Sequence, residues 1–222
     1  MPGKFITFEG GEGTGKSTQA AALAKELEAL GIPVVQTREP GGSPGAEIIR
    51  HVLLSGAAKP LGPEAEAMLF AAARDDHIKF TIQPALAEGK WVICDRFADS
   101  TRVYQGILGR VDQRFINALE RVSVGGLLPD LTLVLDVPAE MGLKRAAGRR
   151  RGQHPDRFEA EELDFHQKLR AAYQALVKRE PKRCVLVDAR AAKKVVAKRI
   201  WQVVSKKFEL APPAVALEQV AP

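Results

Sequence analysis

Gly10, Gly15, Lys16 and Ser17 stand at the spacing G-x-x-x-x-G-K-S inside the stretch FEGGEGTGKST, residues 8–18. Glycines at such positions let a backbone curl until successive N–H groups point inward at phosphate oxygens. The lysine supplies a mobile charge for terminal phosphates, and the serine hydroxyl suits Mg²⁺. A helix starting there adds the positive end of its dipole. Gly10, Gly11, Glu12, Gly13, Thr14, Gly15, Lys16, Ser17 and Thr18 are therefore the candidate phosphate loop. Such a loop serves kinases, GTPases, motor ATPases and nucleotide-gated switches alike, so the choice falls to the rest of the chain.

Three further clusters carry charge. TREPGG spans residues 37–42, DRFADSTRVYQG spans 95–106, and RRRGQHPDRFE spans 149–159. Each sets arginine beside a carboxylate and a turn. One such arginine is as readily a solvated face charge or a structural ion pair. Three of them at the ends of strands or helices point to a second anion site, because ligands of open α/β sheets bind there. No N-K-x-D segment reads a guanine base, and DVPA at Asp136 is not a D-x-x-G switch, so a GTPase is disfavoured. His51, His77, His154 and His166 have no metal-ligand spacing and read as bystanders. Cys94 and Cys184 lie in apolar runs and read as small buried hydrophobes, too few for a disulfide framework.

The elements that must position these groups follow from the apolar pattern. Short β-rich runs at 4–8, 33–37, 91–95, 131–137 and 183–189 read as five strands, the first and fourth of them buried. Helical segments separate them, the first following the phosphate loop and ending at Gly31. The run REPGGSPG reads as loop, and 63–89 as long helix that Pro84 breaks or restarts. Continuous apolar strands alternating with helices specify an α/β fold: a five-stranded parallel sheet covered on both faces. One domain over residues 1–209 and a loose tail over 210–222 are expected, with no internal repeat.

The chain has 222 residues, 45% hydrophobic and 27% charged, with formal net charge +6. That excess suits a polyanionic partner, but aromatics are only 6% and are not interleaved with the basic clusters, so a nucleic-acid stacking surface is not expected. No apolar run is long enough to span a membrane, and the first residues lack a signal-peptide core; a cytoplasmic protein is expected.

Taken in order from residue 8 to residue 189, the motifs F-E-G-x-x-G-x-G-K-S-T, T-R-E-P-G-G, F-x-A-x-R, D-R-F-x-x-S-T-x-x-Y-Q-G, P-D-L-T-L-x-L-D-V and D-R-F-E resemble those of bacterial thymidylate kinases. The second and fourth blocks are more telling than the phosphate loop. The resemblance implies a three-layer P-loop NTPase sandwich with sheet order 2-3-1-4-5, a short lid over about 148–159, and a homodimer built from helix faces. It implies transfer of the γ-phosphoryl of ATP to dTMP with Mg²⁺. Arg38 and Arg96 would then hold the dTMP phosphate or bridge it to the γ-phosphoryl, with Arg96 also catalytic, and Asp95 would join Ser17 in placing Mg²⁺ or its waters. Glu12 would face the acceptor's sugar and phosphate. Phe70 would stack on thymine and Arg74 bond its edge; the two sit four apart and share a helix face, although AMLFAAA alone reads as core. Ser100, Thr101, Tyr104 and Gln105 would line the nucleoside pocket, Tyr104 near the deoxyribose. Arg145 would pack against adenine, with Asp188–Arg190 beyond it. The phosphate loop has no arginine, so the catalytic charge is assigned to the lid: Arg157 first, then Arg149 and Arg151. A kinase for another nucleoside monophosphate, or a nucleotide-gated binding protein, are the alternatives.

Overall fold

Strand β1, Phe5–Glu9, buries all five of its residues. The next most enclosed are β3, Trp91–Asp95, and β4, Leu131–Asp136, each buried except at its last residue. Runs apolar on both faces belong at the centre of a parallel sheet, and they are found there. The partly exposed strands β2, Val34–Arg38, and β5, Cys184–Asp188, form the edges. The order is β2-β3-β1-β4-β5 with every pair parallel, as expected. The computed structural model describes residues 2–148, 158 and 160–210 in full, and Arg149 and Arg150 by their backbone alone.

All five strands finish in an ionisable residue: Glu9, Arg38, Asp95, Asp136 and Asp188. Parallel register carries these onto one edge, with Arg38 opposite Asp95 and Asp136 opposite Asp188. The strand period of two sends Ile6 and Phe8 to one face and Phe5 to the other. The first face is covered by α1, Lys16–Ala29, and α9, Lys193–Phe208, through Leu23, Leu27, Ile200 and Val204. The second face is covered by helices α4, Gln83–Ala87, and α8, Leu163–Arg179, with Ile82, Phe97, Leu169 and Tyr173 against the sheet.

Helix α2, Pro44–Leu54, starts inside the run read as loop; Pro44 in its first turn has the φ a helix start requires. Helix α3, Gly62–His77, continues through a π-helical segment, Ile78–Ile82, into α4, whose first turn holds Pro84. The segment after β3, treated above only as a charged cluster, is helical: α5, Ala98–Thr101, runs into a π turn, Arg102–Leu108. Helices α6, Gln113–Val124, and α7, Ala139–Arg150, complete the set. Leu210 donates its amide to the Ser205 carbonyl at 2.9 Å and packs on the α1–α9 core. Residues 211–222 lie outside the described residues, and among the described ones no helix is long and apolar enough to cross a membrane. Both cysteines are buried and free.

Candidate active site

The phosphate loop joins the buried end of β1 to the first turn of α1. Gly10 has φ 130° and would place a Cβ 2.5 Å from the Leu135 carbonyl oxygen. Gly13 has φ 66° and meets the backbone of α7 so closely that a Cβ would lie 1.9 Å from the Gly142 carbonyl oxygen. Neither place admits another residue without the backbone moving. Gly15 ends the loop in the left-handed conformation and no side chain caps α1, whose amide dipole faces the loop. Thr14 Oγ1 donates to the Gly11 carbonyl at 3.0 Å. Lys16 Nζ donates to the carbonyls of Gly10 at 3.1 Å and Gly11 at 2.8 Å, with its side chain buried. Burial, then the nearby Arg96, lowers the Lys16 pKa, while Glu12, Asp95 and Glu9 oppose that fall.

At the loop's mouth Ser17 Oγ donates to Asp95 Oδ2 at 2.5 Å. Two hard oxygens suit Mg²⁺, which takes one or two protein oxygens and completes its octahedron with phosphates and waters. Among the described residues no three His, Cys, Asp or Glu gather into a metal-holding group of their own.

A cleft opens beside the loop, and it brings together residues drawn from widely separated parts of the chain. Glu12, Gly13, Gly15, Lys16 and Ser17 line it from the loop, Arg38 from β2, Phe70 and Arg74 from α3, Asp95 and Arg96 from β3 and its exit. Ser100, Thr101, Tyr104 and Gln105 line it from α5 and its π turn. Ser100 and Tyr104, like Thr101 and Gln105, stand four residues apart along α5 and its π turn, so the four share one face of that helical segment and line the cleft together.

Arg96 is the hub. It takes φ 71°, a region non-glycine residues occupy only when their surroundings impose it. Its backbone amide donates to the Phe8 carbonyl at 2.9 Å, its Nη2 is paired with Glu12, and its Cζ lies 5.2 Å over the Tyr104 ring. Burial works to raise the Glu12 pKa, but Arg96, then Lys16 and the Tyr104 hydroxyl, hold it down at about 2. Glu12 is thus an anion throughout the physiological range. Tyr104 Oη donates to Glu12 at 3.2 Å.

Arg74 is buried, and its Nε donates to Glu39 Oε2 at 2.8 Å. Its Nη2 donates to Thr101 Oγ1 at 3.0 Å and to the Phe97 carbonyl at 3.3 Å. None of these bonds uses Nη1. The Phe70 ring lies 6.2 Å from that of Phe158, which also lines the cleft. Arg38, half exposed, donates to both carboxylate oxygens of Glu47, at 2.9 and 3.1 Å.

On the other side of the loop a groove is lined by Gly13, Thr14, Gly15, Thr18, Gln19, Arg145, Gly148, Ala189 and Lys193, among others. Arg145 crosses it, donating to the carbonyls of Ala189 at 2.9 Å and Arg190 at 2.8 Å. The two sites therefore flank the loop, one at each end. The side chain of Arg149, together with Arg151 and Arg157, lies outside the described residues.

Several side chains that build the site are not among those singled out from sequence. Glu39 backs Arg74 and also reaches the His77 ring at 3.1 Å, which in turn meets Thr37 at 2.7 Å. Glu9 and Tyr173 support Arg96 from behind, and Gly142 receives the loop. The one local signal was Glu9 itself, a charge closing an otherwise apolar strand. Glu39 is the carboxylate of the TREPGG run, but nothing in that run says that it meets Arg74, and for Tyr173 and Gly142 no local pattern exists, since their partners are distant in sequence.

The family model described as thymidylate kinase matches residues 8–200. A protein of Bradyrhizobium diazoefficiens named thymidylate kinase is 59% identical over 213 residues, covering 96% of this chain and 93% of that one. One of Nitrobacter winogradskyi with the same name is 62% identical over 199 residues, covering 90% of this chain and 86% of that one. A third, of Rhodopseudomonas palustris, is 60% identical over 207 residues, 93% of this chain and 90% of its own. The phosphate loop, the arginine-lined cleft beside it and these relatives agree, and the chain belongs to the thymidylate kinase family.

Proposed function

We propose that the chain transfers the γ-phosphoryl group of ATP to dTMP, yielding dTDP and ADP. The observation that carries this reading is the single cleft in which the phosphate loop meets Arg96, Arg38 and Glu12 on one side and Phe70, Arg74 and Gln105 on the other. ATP lies with its phosphates in the loop and its base in the groove crossed by Arg145. The dTMP phosphate is received by Arg38 and Arg96, its sugar by Glu12 and Tyr104, and its base by Phe70, Arg74, Ser100, Thr101 and Gln105.

The attacking atom is a phosphate oxygen, already anionic, so no side chain has to remove a proton. Positioning and charge neutralisation suffice for a phosphoryl transfer of this kind. Glu12, ionised well below neutrality, acts by orienting Arg96 and not as a base. Lys16 leaves the loop carbonyls for the donor's terminal phosphates. Ser17 and Asp95 would hold Mg²⁺, which would supply neutralisation of charge on the donor's phosphates. Residues 148–159 serve as a lid, with Arg157 supplying charge in the transition state and Arg149 and Arg151 assisting. Arg157→Ala accordingly lowers kcat by far more than it weakens dTMP binding; an unchanged kcat overturns that assignment.

The unit of function is residues 1–209, and it works as a homodimer in the cytoplasm, where its nucleotide substrates are held. Support for the dimer comes from α2, α3 and α6, which pack side by side and leave Ile48, Met68 and Val122 exposed. The deciding assay measures ADP released from ATP and Mg²⁺ with dTMP, dUMP, UMP, CMP, AMP or GMP as acceptor. dTMP is expected to give the highest kcat/KM; a better acceptor among the others refutes the specificity.

A further inference from the structure

Arg96 is held from behind by two hydroxyl groups. Its Nη1 donates to Ser100 Oγ at 3.3 Å and to Tyr173 Oη at 3.4 Å. A guanidinium has only donors, so both oxygens must present lone pairs to it, and both hydroxyl protons must point elsewhere. They point at one group. Ser100 Oγ donates to Glu9 Oε2 at 2.7 Å, and Tyr173 Oη donates to the same oxygen at 2.8 Å. The other carboxylate oxygen, Oε1, accepts the backbone amides of Phe97 at 2.9 Å and Ser100 at 3.2 Å. Glu9 is fully buried, as is almost all of Tyr173. The cleft wall shows Arg96, and one layer further in lies a carboxylate that touches no substrate.

We propose that Glu9 is the positioning residue of Arg96: its Oε2 draws the protons of Ser100 and Tyr173 onto itself and so turns both oxygens toward the guanidinium. Arg96 is kept on the dTMP side with a strained backbone that needs such support. Glu12 holds Nη2 and the two hydroxyls hold Nη1, so the fork is fixed at both ends. This inference rests on the acceptor-phosphate role given to Arg96 above.

Protonation of Oε2 undoes the arrangement, because a carboxylic O–H donates to a hydroxyl and obliges that hydroxyl to turn its own proton outward. Burial, then the Asp99 carboxylate, raises the Glu9 pKa to about 7, against Arg96 and the hydrogen bonds from Ser100 and Phe97. The other titratable groups that sense Glu9 are Lys16 of the loop, Cys94 of β3 and Tyr173 of α8. Burial holds the thiol and the phenol neutral, and Lys16 Nζ is bonded to the Gly10 and Gly11 carbonyls of the loop.

The isosteric variant Glu9→Gln separates this role from a structural one. The two backbone amides keep the side-chain carbonyl at the Oε1 position, so the cap over α5 survives. The amide NH₂ then replaces Oε2 and donates where the carboxylate accepted. The expected result is a KM for dTMP raised about tenfold with KM for ATP within about twofold of wild type. Wild-type kcat/KM for dTMP is expected to fall as pH drops through 7, and that limb disappears in Glu9→Gln; a limb common to both belongs to the substrate's own phosphate. In the background of Glu9→Gln, Tyr173→Phe restores part of the loss by removing one misdirected hydroxyl, so the two changes are not additive.

Wild-type KM for dTMP in folded Glu9→Gln, or simple additivity with Tyr173→Phe, overturns the proposal. If Glu9→Gln does not fold, Tyr173→Phe alone decides: a KM for dTMP raised about threefold at unchanged KM for ATP supports it, and unaltered kinetics refute it. Arg96→Ala is measured beside them. If Arg96→Ala raises the KM for dTMP and Glu9→Gln does not, only the Glu9 inference fails. If Arg96→Ala leaves dTMP kinetics intact, the role of Arg96 fails and takes the inference with it.

Discussion

Arg74 shows how a single side chain is divided between holding and reading. Its Nε and Nη2 are committed to Glu39, Thr101 and the Phe97 carbonyl, in a setting where side chain and carboxylate are both buried. A lysine has no planar fork and cannot satisfy Glu39 while also presenting a donor to a base. Hydrogen bonds to charged groups are each worth about 1.5–3 kcal/mol, so Arg74→Lys is expected to lower kcat/KM for dTMP roughly ten- to hundredfold. The ATP KM should stay close to wild type, and steady-state kinetics in each substrate check the pair of values. Sequence placed Phe70 and Arg74 on one helix face, because that spacing is local. It did not reveal Glu39 behind them, because that contact spans 35 residues and depends on the loop after β2 returning to α3.

At the scale of elements, the phosphate loop depends on a helix far along the chain. Gly13 and Gly142 approach so closely that a Cβ on Gly142 would lie 2.4 Å from the Glu12 carbonyl oxygen. Gly142→Ala must therefore push α7 and the loop apart, since backbone on both sides leaves no flexible end to yield. Displacements near 1 Å at a reacting group cost roughly 10²-fold. The expected outcome is a loss of kcat/KM for ATP of about that size with helical content unchanged, read by kinetics and circular dichroism. The loop itself was evident from spacing alone, as were the strand before it and the helix after it. The helix that receives it was also visible, but nothing in AEMGLKRAAG says which glycine meets the loop. The π turn after α5 was likewise invisible, because an extra residue per turn leaves no compositional mark.

Over the whole molecule, a network of ion pairs ties the second face of the sheet together. Buried Asp99 on α5 accepts from Arg183 at the start of β5, at 2.7 Å through both oxygens, and Arg183 also bonds Thr132 on β4. Arg102 extends the network to Glu120 of α6 and Glu180 beyond α8. Removing one partner leaves a buried charge, at a cost of about 3–5 kcal/mol. Arg183→Ala should thus lower Tm by roughly 6–20 °C in a chain of this size, as measured by calorimetry. Replacing Asp99 with asparagine in the same molecule should recover part of the loss. The exposed Ile48 and Val122, at 71% and 82%, belong to the proposed dimer face. Ile48→Glu is expected to convert a wild-type dimer to monomer in analytical ultracentrifugation; a wild type that sediments as monomer refutes the dimer.

By itself the sequence determined the phosphate loop, the five strands, the parallel α/β class and the helix face shared by Phe70 and Arg74. Each of these follows from residues within a few turns of one another, where spacing and apolar period translate directly into geometry. Only the tertiary structure decided that all five strand ends form one charged edge, that Arg96 is gripped from both sides, and that Glu9 accepts from the two hydroxyls behind it. The Glu9–Tyr173 bond joins residues 164 apart, and the Arg96–Glu12 pair residues 84 apart. Such contacts are created when the sheet closes, and no local pattern encodes them. The chemistry of the loop is written in order along the chain, whereas the orientation of the charge it works with is set by the packing of β1 against α5 and α8.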